Sequence, residues 1–154
     1  MKIERSLILL KPDAVQRGFI GDIISRFEHK GLKLVGLRML WISHKLAENH
    51  YGEHAGKGFY DGLVKFIKSG PVVAMIIEGD DAIATVRKMA GSTNPKEAAL
   101  GTIRYDFGMH TGRNLIHASD SEKSSEKEIS LFFDVDEIIE YDKNEDSWIY
   151  EKDE

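Results

Sequence analysis

Ile20-Gly21-Asp22-Ile23-Ile24-Ser25-Arg26-Phe27-Glu28-His29-Lys30-Gly31 is the stretch on which the reading of the fold turns. Ile20, Ile23, Ile24 and Phe27 fall at i, i+3, i+4 and i+7, so one side of a helix carries the apolar groups. Gly31 follows as the C-terminal cap, because glycine enters left-handed backbone without a Cβ clash. An apolar run precedes this helix at residues 6–10 and ends at Lys11-Pro12-Asp13, where proline stops strand pairing. That run reads as a strand leading into a loop. A second apolar run, residues 32–42, is rich in Leu, Val and Met and reads as a buried strand despite Gly36.

The remainder repeats the strand, helix, strand pattern after a helical insert. Ser43 offers an N-cap for a polar helix toward Tyr51. A further helix is predicted over residues 59–67, with Leu63, Phe66 and Ile67 on one face and Ser69-Gly70-Pro71 as its stop. Residues 72–77 form the next strand. Asp80 or Asp81 then caps a helix in which Ile83, Val86 and Ala90 repeat before Gly91. Residues 92–113 show little periodicity. Leu115-Ile116 is a very short strand core, and Ser119 with Glu122 matches a capping box for a helix through Phe133. Two crossover units of this kind imply an α+β chain with one sheet covered by helices on a face. The most economical architecture is the ferredoxin-like βαββαβ arrangement. With no internal repeat or low-complexity linker, residues 1–154 read as a single domain ending in an acid-rich extension over residues 142–154.

Composition narrows the chemistry. Hydrophobic residues make up 42% and charged residues 31% of the 154, the mix of a globular chain with a real core. The apolar runs fall far short of the roughly 20 residues of a membrane-spanning helix. Lys2, Glu4 and Arg5 directly after Met1 do not fit a cleavable signal peptide, so a cytoplasmic location and no membrane partner are expected. There is no cysteine, which excludes disulfides, thiolate metal ligands and a cysteine nucleophile. A net charge of −5 without a basic block predicts no nonspecific nucleic-acid affinity. Phosphate recognition would have to use a few placed cations.

Six histidines are candidates for covalent or metal chemistry. His29 sits near a helix C-terminus, while His44, His50 and His54 belong to a polar helical stretch that reads as a solvated face. His50 and His54 are four apart but have no third metal ligand near them in sequence. His117 lies at the end of a short apolar strand, before small polar residues that can start a helix: Asn114-Leu115-Ile116-His117-Ala118-Ser119-Asp120-Ser121. Taken alone, that position suits a core or capping histidine at least as well as a nucleophile. Neither the Gly-x-x-x-x-Gly-Lys-Ser/Thr pattern nor Gly-x-Gly-x-x-Gly after a strand is present. Thr93-Asn94-Pro95 instead reads as a cap with proline at the first helical position, flanked by Arg87 and Arg104 as a candidate phosphate clamp. A surface ion pair is the alternative reading for either arginine.

A set of motifs in order resembles the nucleoside diphosphate kinase family nearly end to end. They are Leu10-Lys11-Pro12-Asp13 with Gln16-Arg17-Gly18, His50-Tyr51, Ser69-Gly70-Pro71-Val72, Thr93-Asn94-Pro95, Gly101-Thr102-Ile103-Arg104, and Gly112-Arg113-Asn114 leading to His117-Ala118-Ser119-Asp120-Ser121. The resemblance implies a ferredoxin-like fold, a Mg²⁺-nucleotide substrate, and ping-pong transfer of a terminal phosphoryl group through a phosphohistidine with broad acceptance of bases. It places the nucleophile at His117, with Glu128 and Ser119 orienting its ring. Lys11, Tyr51 and Asn114 match positions that contact the transferring phosphate or the sugar hydroxyls. Arg87, Thr93 and Arg104 match phosphate binders, and Phe59 matches the position on which the base stacks. No protein side chains alone are implied as metal ligands; Mg²⁺ is held mainly by the nucleotide phosphates.

Three positions depart from the pattern. Ala118 stands where glycine usually follows the histidine, Leu100 where proline is common before Gly101, and Thr111 where valine often lines the base pocket. Alanine requires an ordinary backbone conformation at 118; the strand end is expected to accommodate its methyl, and a positive φ there would contradict that expectation. Asp120 reads equally as a helix-start carboxylate and as a site group. Trp148-Ile149-Tyr150 is an apolar cluster in the acid-rich ending and is expected to dock. Members of the resembled family with an extended ending of this kind are hexamers, while several shorter ones are tetramers, so the resemblance implies a homohexamer. A noncatalytic family member would keep the arginines but lose the nucleophile or its carboxylate, and a structural ferredoxin-like module would need no phosphate set.

Overall fold

The computed structural model describes residues 1–152. Strands β1 (Ile3–Leu10), β2 (Lys33–Leu40), β3 (Val72–Asp80) and β4 (Ile116–Ala118) form a four-stranded sheet in the order β2-β3-β1-β4, with each neighbouring pair antiparallel. β1 and β2 therefore run the same way with β3 between them, as do β3 and β4 with β1 between them. The two strand, helix, strand crossovers interlock, which is the ferredoxin-like arrangement the sequence predicted.

The helices are α1 (Pro12–Gln16), α2 (Ile20–Lys30), α3 (His44–His50), α4 (Tyr60–Ile67), α5 (Ala82–Ala90), α6 (Ile103–Phe107), α7 (Glu122–Phe132) and α8 (Asp146–Ile149). They cover both faces of the sheet. Ile8, Leu10, Val73, Met75 and Ile77 pack with Ile23 and Phe27 of α2 and Ala82, Val86 and Ala90 of α5. Leu7, Leu9, Ala74 and Ile76 pack on the other side with Ala47 of α3, Val64 and Ile67 of α4, and Phe132 of α7. Adjacent strand residues point to opposite faces, so burial on both explains why residues 7–10 are all apolar instead of alternating. Each fully buried Leu, Ile or Phe in these layers contributes on the order of 1.5–3 kcal/mol.

Local signals account for most element ends. Gly31 caps α2 at φ +98°. Ser43 caps α3 by accepting the Leu46 N–H at 3.1 Å. Several boundaries differ from expectation. Pro12 opens α1 instead of a loop, since proline at the first helical position lacks only an N–H that would be unpaired there. Asp81 precedes α5 at φ +46° without side-chain capping; Glu4 Oε1 accepts the Ile83 N–H from across the sheet instead. Thr93-Asn94-Pro95 starts no helix. Asn94 Oδ1 accepts the Lys96 N–H and closes a turn, and the helix of this segment is α6, capped by Thr102. Ser121, not Ser119, caps α7. In the acid-rich ending, α8 brings Ile149 against Gly31, whereas Trp148 is 90% exposed and docks on no surface among the described residues. Asp153 and Glu154 lie outside the described residues.

Candidate active site

β4 is three residues long, yet its register fixes the centre of the site. His117 lies opposite Leu9 and shares its face of the sheet, the one covered by α3 and α7. Ala118 lies opposite Ile8 on the other face, and it is not among the residues with positive φ. The methyl group is therefore accommodated by an ordinary strand, as the sequence required.

From α7, Glu128 places its carboxylate oxygens 2.8 and 2.9 Å from His117 Nε2. Its Oε1 also accepts the Ser119 hydroxyl at 2.9 Å, while the Ser119 oxygen accepts the Leu7 N–H at 3.2 Å. A carboxylate accepting bonds from both sides fixes Nε2 as the ring nitrogen of His117 that carries a proton. Nδ1 is left with the lone pair. Glu128 is 9% exposed and Ser119 fully buried, so this orientation is enforced by packing as well as hydrogen bonding.

His50 is the residue that sequence reading misplaced. Its ring meets the His117 ring edge-on, centroids 4.7 Å apart, and also packs on Tyr51 and Phe132. Both ring nitrogens are buried without a hydrogen-bond partner. Burial above all, reinforced by the nearby cations Lys11 and Lys127, pushes its pKa down to about 3, so the ring is neutral. The available signal was spacing: His50 is three residues after Ala47, which places it on the buried side of α3.

Asn114 joins the remaining groups. Its Oδ1 accepts Lys11 Nζ–H at 2.8 Å, and its Nδ2 donates to the Thr93 carbonyl at 2.9 Å. The Asn114 carbonyl accepts the Ile116 N–H at 2.8 Å across Leu115, whose φ of +74° marks a strained γ-turn entering β4. The Leu115 N–H is held by Asp13 at 3.0 Å. Burial, with Arg104 nearby and Asp13 opposing, lowers the Lys11 pKa to about 8. Burial likewise raises the Tyr51 hydroxyl to about 12, keeping it a neutral donor.

Arg104 donates to the carbonyls of Asn114, Gly91 and Ile116 at 3.3, 2.8 and 2.7 Å. It therefore ties the 91–104 loop to β4 in addition to supplying charge. Gly91 permits this close approach at φ +91°, a conformation costly for other residues. Burial and the neighbouring Arg87 lower the Arg104 pKa to about 10, and the guanidinium remains charged at neutral pH. Arg87 donates to the Ala118 carbonyl at 3.0 Å. Asp120 is held below its ordinary carboxylate value by the Ser124 hydroxyl first, with the charge of Arg87 adding to it. Thr93 joins this cluster through its backbone carbonyl.

Phe59 is 54% exposed, its ring meeting that of His54 edge-on with centroids 5.3 Å apart. It lines a groove of about 770 Å³ between α1 and α4, together with Pro12, Leu63, Phe66 and Arg113. His117 does not line that groove, and neither does Thr111. Two regions are thus built: an apolar groove with an exposed aromatic ring, and a charged cluster around His117.

A family model described as nucleoside diphosphate kinase matches residues 4–138. The nucleoside diphosphate kinase of Desulforamulus reducens is 60% identical over 149 residues, covering 97% of this chain and all of that one (100%). That of Archaeoglobus fulgidus is 57% identical over 150 residues, covering 97% and 99%. Among solved structures, a halophilic nucleoside diphosphate kinase from Halobacterium salinarum in complex with CDP superposes with a TM-score of 0.95 at 52% identity, covering 97% of this chain and 100% of that one. A transition-state mimic of the Borrelia burgdorferi enzyme with vanadate and ADP superposes at 0.90 and 38% identity, covering 95% and 96%.

Proposed function

This chain belongs to the nucleoside diphosphate kinase family, and we propose that its transfer of the terminal phosphoryl group from a nucleoside triphosphate to a nucleoside diphosphate runs ping-pong through a phosphohistidine at His117. The observation that carries this reading is the pairing of His117 Nε2 with Glu128, which leaves Nδ1 as the nucleophile. Nδ1 attacks the terminal phosphorus, the bond from phosphorus to the bridging oxygen breaks, and the nucleoside diphosphate leaves with that electron pair. Positive charge developing on the ring is stabilised by Glu128, which Ser119 holds in place. The incoming nucleoside diphosphate reverses the same steps.

Such a transfer needs positioning and charge neutralisation more than covalent chemistry from the protein. Lys11, Arg87 and the N–H groups of Arg104 not spent on carbonyls supply cations, and Asn114 and Tyr51 supply neutral donors toward the phosphate or sugar. Thr93 belongs to the same binding set through the turn it holds with Asn114. This donor set is cationic and fits phosphates that carry their own Mg²⁺, as oxygen ligands and retained water suit that ion. When bound, the ion would offset part of the phosphates' negative charge, while Lys11, Arg87 and Arg104 hold and orient the phosphate chain. Phe59 provides a stacking face for the base, and stacking on a π face accepts any base. The complexes of two relatives, one with CDP and one with ADP, support a broad range here.

Initial velocities at several fixed concentrations of the second nucleotide test the mechanism. Parallel double-reciprocal lines are expected; converging lines would mean direct transfer in a ternary complex.

The proposed assembly is a homohexamer. On the edge strand β2 and just beyond it, Leu37, Met39 and Trp41 alternate outward at 53%, 58% and 67% exposure, and Trp148 is bare in the acid-rich ending. Light scattering after gel filtration is expected to give six chains; a stable monomer or tetramer contradicts this. Residues 1–154 are proposed to act as one domain, in the cytoplasm and without nucleic-acid binding. Among the described residues no helix is long and apolar enough to cross a membrane. Fractionation that places the protein outside the cytoplasm would refute that location.

A further inference from the structure

We propose that His50, His117 and Glu128 form an inhibitory binding site for a Zn²⁺-like transition-metal ion, distinct from the Mg²⁺ carried by the nucleotide. One ring nitrogen of each histidine and one carboxylate oxygen lie within 4.8 Å of one another. Among the described residues this is the one group of three or more His, Asp or Glu ligand atoms so close. Two imidazoles and a carboxylate, with a fourth position open to water, make a ligand set suited to tetrahedral Zn²⁺. Mg²⁺ prefers oxygen ligands and does not compete for imidazole nitrogen.

The geometry is close to what an ion requires. Zn–N and Zn–O bonds of about 2.0–2.2 Å set neighbouring ligand atoms roughly 3.3 Å apart around a tetrahedral centre. His117 Nε2 and Glu128 stand at 2.8 and 2.9 Å, so that edge opens slightly. The edges to His50 must close, which requires its ring to turn. That turn breaks no hydrogen bond, because neither ring nitrogen has a partner. An ion would supply the partner that these buried nitrogens lack. Lys11 and Lys127 place positive charge nearby, and the Glu128 carboxylate is the one anionic ligand that counters it. Entry is from the His117 side, where that side chain is 27% exposed.

Inhibition follows from proton balance and rests on His117 being the nucleophile. An ion that takes the Nε2 lone pair displaces the proton there, which moves through solvent to Nδ1. An ion that takes Nδ1 occupies the attacking lone pair directly. Either way the ring stays neutral overall and has no lone pair left for phosphorus.

The test reads binding, not turnover, so it stands or falls separately from the phosphohistidine mechanism. Nucleotide-free protein in excess Mg²⁺ is titrated with Zn²⁺ against a chromophoric chelator, and Co²⁺ is used as a spectroscopic substitute. About one tight equivalent per chain and the intense visible absorption of four-coordinate Co²⁺ are expected. His50→Phe keeps an aromatic ring against His117 but removes both nitrogens. It is expected to weaken Zn²⁺ by at least the roughly 10- to 100-fold that losing an outer hydrogen bond costs a metal site. His44→Ala, which removes a surface histidine paired with Glu48, should bind Zn²⁺ as the wild type does. His50→Gln serves if the phenylalanine variant does not fold. Zn²⁺ binding undiminished in the His50 variant, or a wild type without the four-coordinate Co²⁺ spectrum, would overturn the proposal.

Discussion

His117 Nε2 and the Glu128 carboxylate are 2.8 Å apart at their shorter contact, and that pairing decides which ring nitrogen is free to react. Removing it by Glu128→Ala leaves the tautomer unspecified and the ring loosely held. The expected result is a fall in kcat of about 100-fold or more with a smaller change in KM, measured by steady-state kinetics with two nucleotides. Unchanged kcat would remove Glu128 from the mechanism.

Lys11 predicts a pH dependence. Its folded-state pKa is lowered from 10.5 to about 8, chiefly by burial. Its charge, and with it phosphate binding, is present below that value and lost as pH rises through it. kcat/KM should decline above about pH 8, and in Lys11→Arg this arm should disappear because arginine stays charged. The linkage to stability has the opposite sense. Between about pH 8 and 10.5 the unfolded chain binds more protons at this lysine than the folded one. This residue therefore favours folding increasingly as pH rises through that window. Denaturant midpoints of wild type and Lys11→Met across those pH values check the sign.

Phe59→Ala should raise the KM for purine and pyrimidine nucleotides together, leaving kcat less affected. Losing one stacking face is worth about 1–3 kcal/mol, or roughly 5- to 150-fold. A change confined to one base class would mean that Phe59 selects among bases.

Ala118→Gly probes the departure beside the nucleophile. Because Ala118 sits in a strand without positive φ, glycine is expected to cost about 0.5–1 kcal/mol of stability and to leave kcat within a few-fold of wild type. Chemical denaturation and initial rates give both quantities. A stabilised or much faster variant would show that the methyl strains the site.

The features legible in the sequence are those that local physics decides. The α2 stripe from Ile20 to Phe27 and its glycine stop depend on residues within the helix itself, as does the Ser43 cap. The functional set came from motif resemblance, with the histidine alone undecided between core and nucleophile. Features set by distant parts of the chain were hidden. Arg104 spends much of its guanidinium on backbone carbonyls, and a carbonyl carries no side-chain identity to read. Ser119 looks like a helix cap in sequence, but the register of β4 against β1 turns it inward to Glu128. His50 looked solvated because its neighbours in sequence are polar; its neighbours in space are His117 and Phe132. Trp148 was expected to dock, and among the described residues no surface receives it.

The central claim is a covalent phosphoryl group on His117, and it is tested most directly by incubating the protein with terminally labelled ATP and Mg²⁺, then adding a different unlabelled nucleoside diphosphate. The account predicts acid-labile label on the protein, absent from His117→Ala, that passes to the added nucleotide. Unlabelled wild-type protein, or label undiminished in His117→Ala, would contradict it.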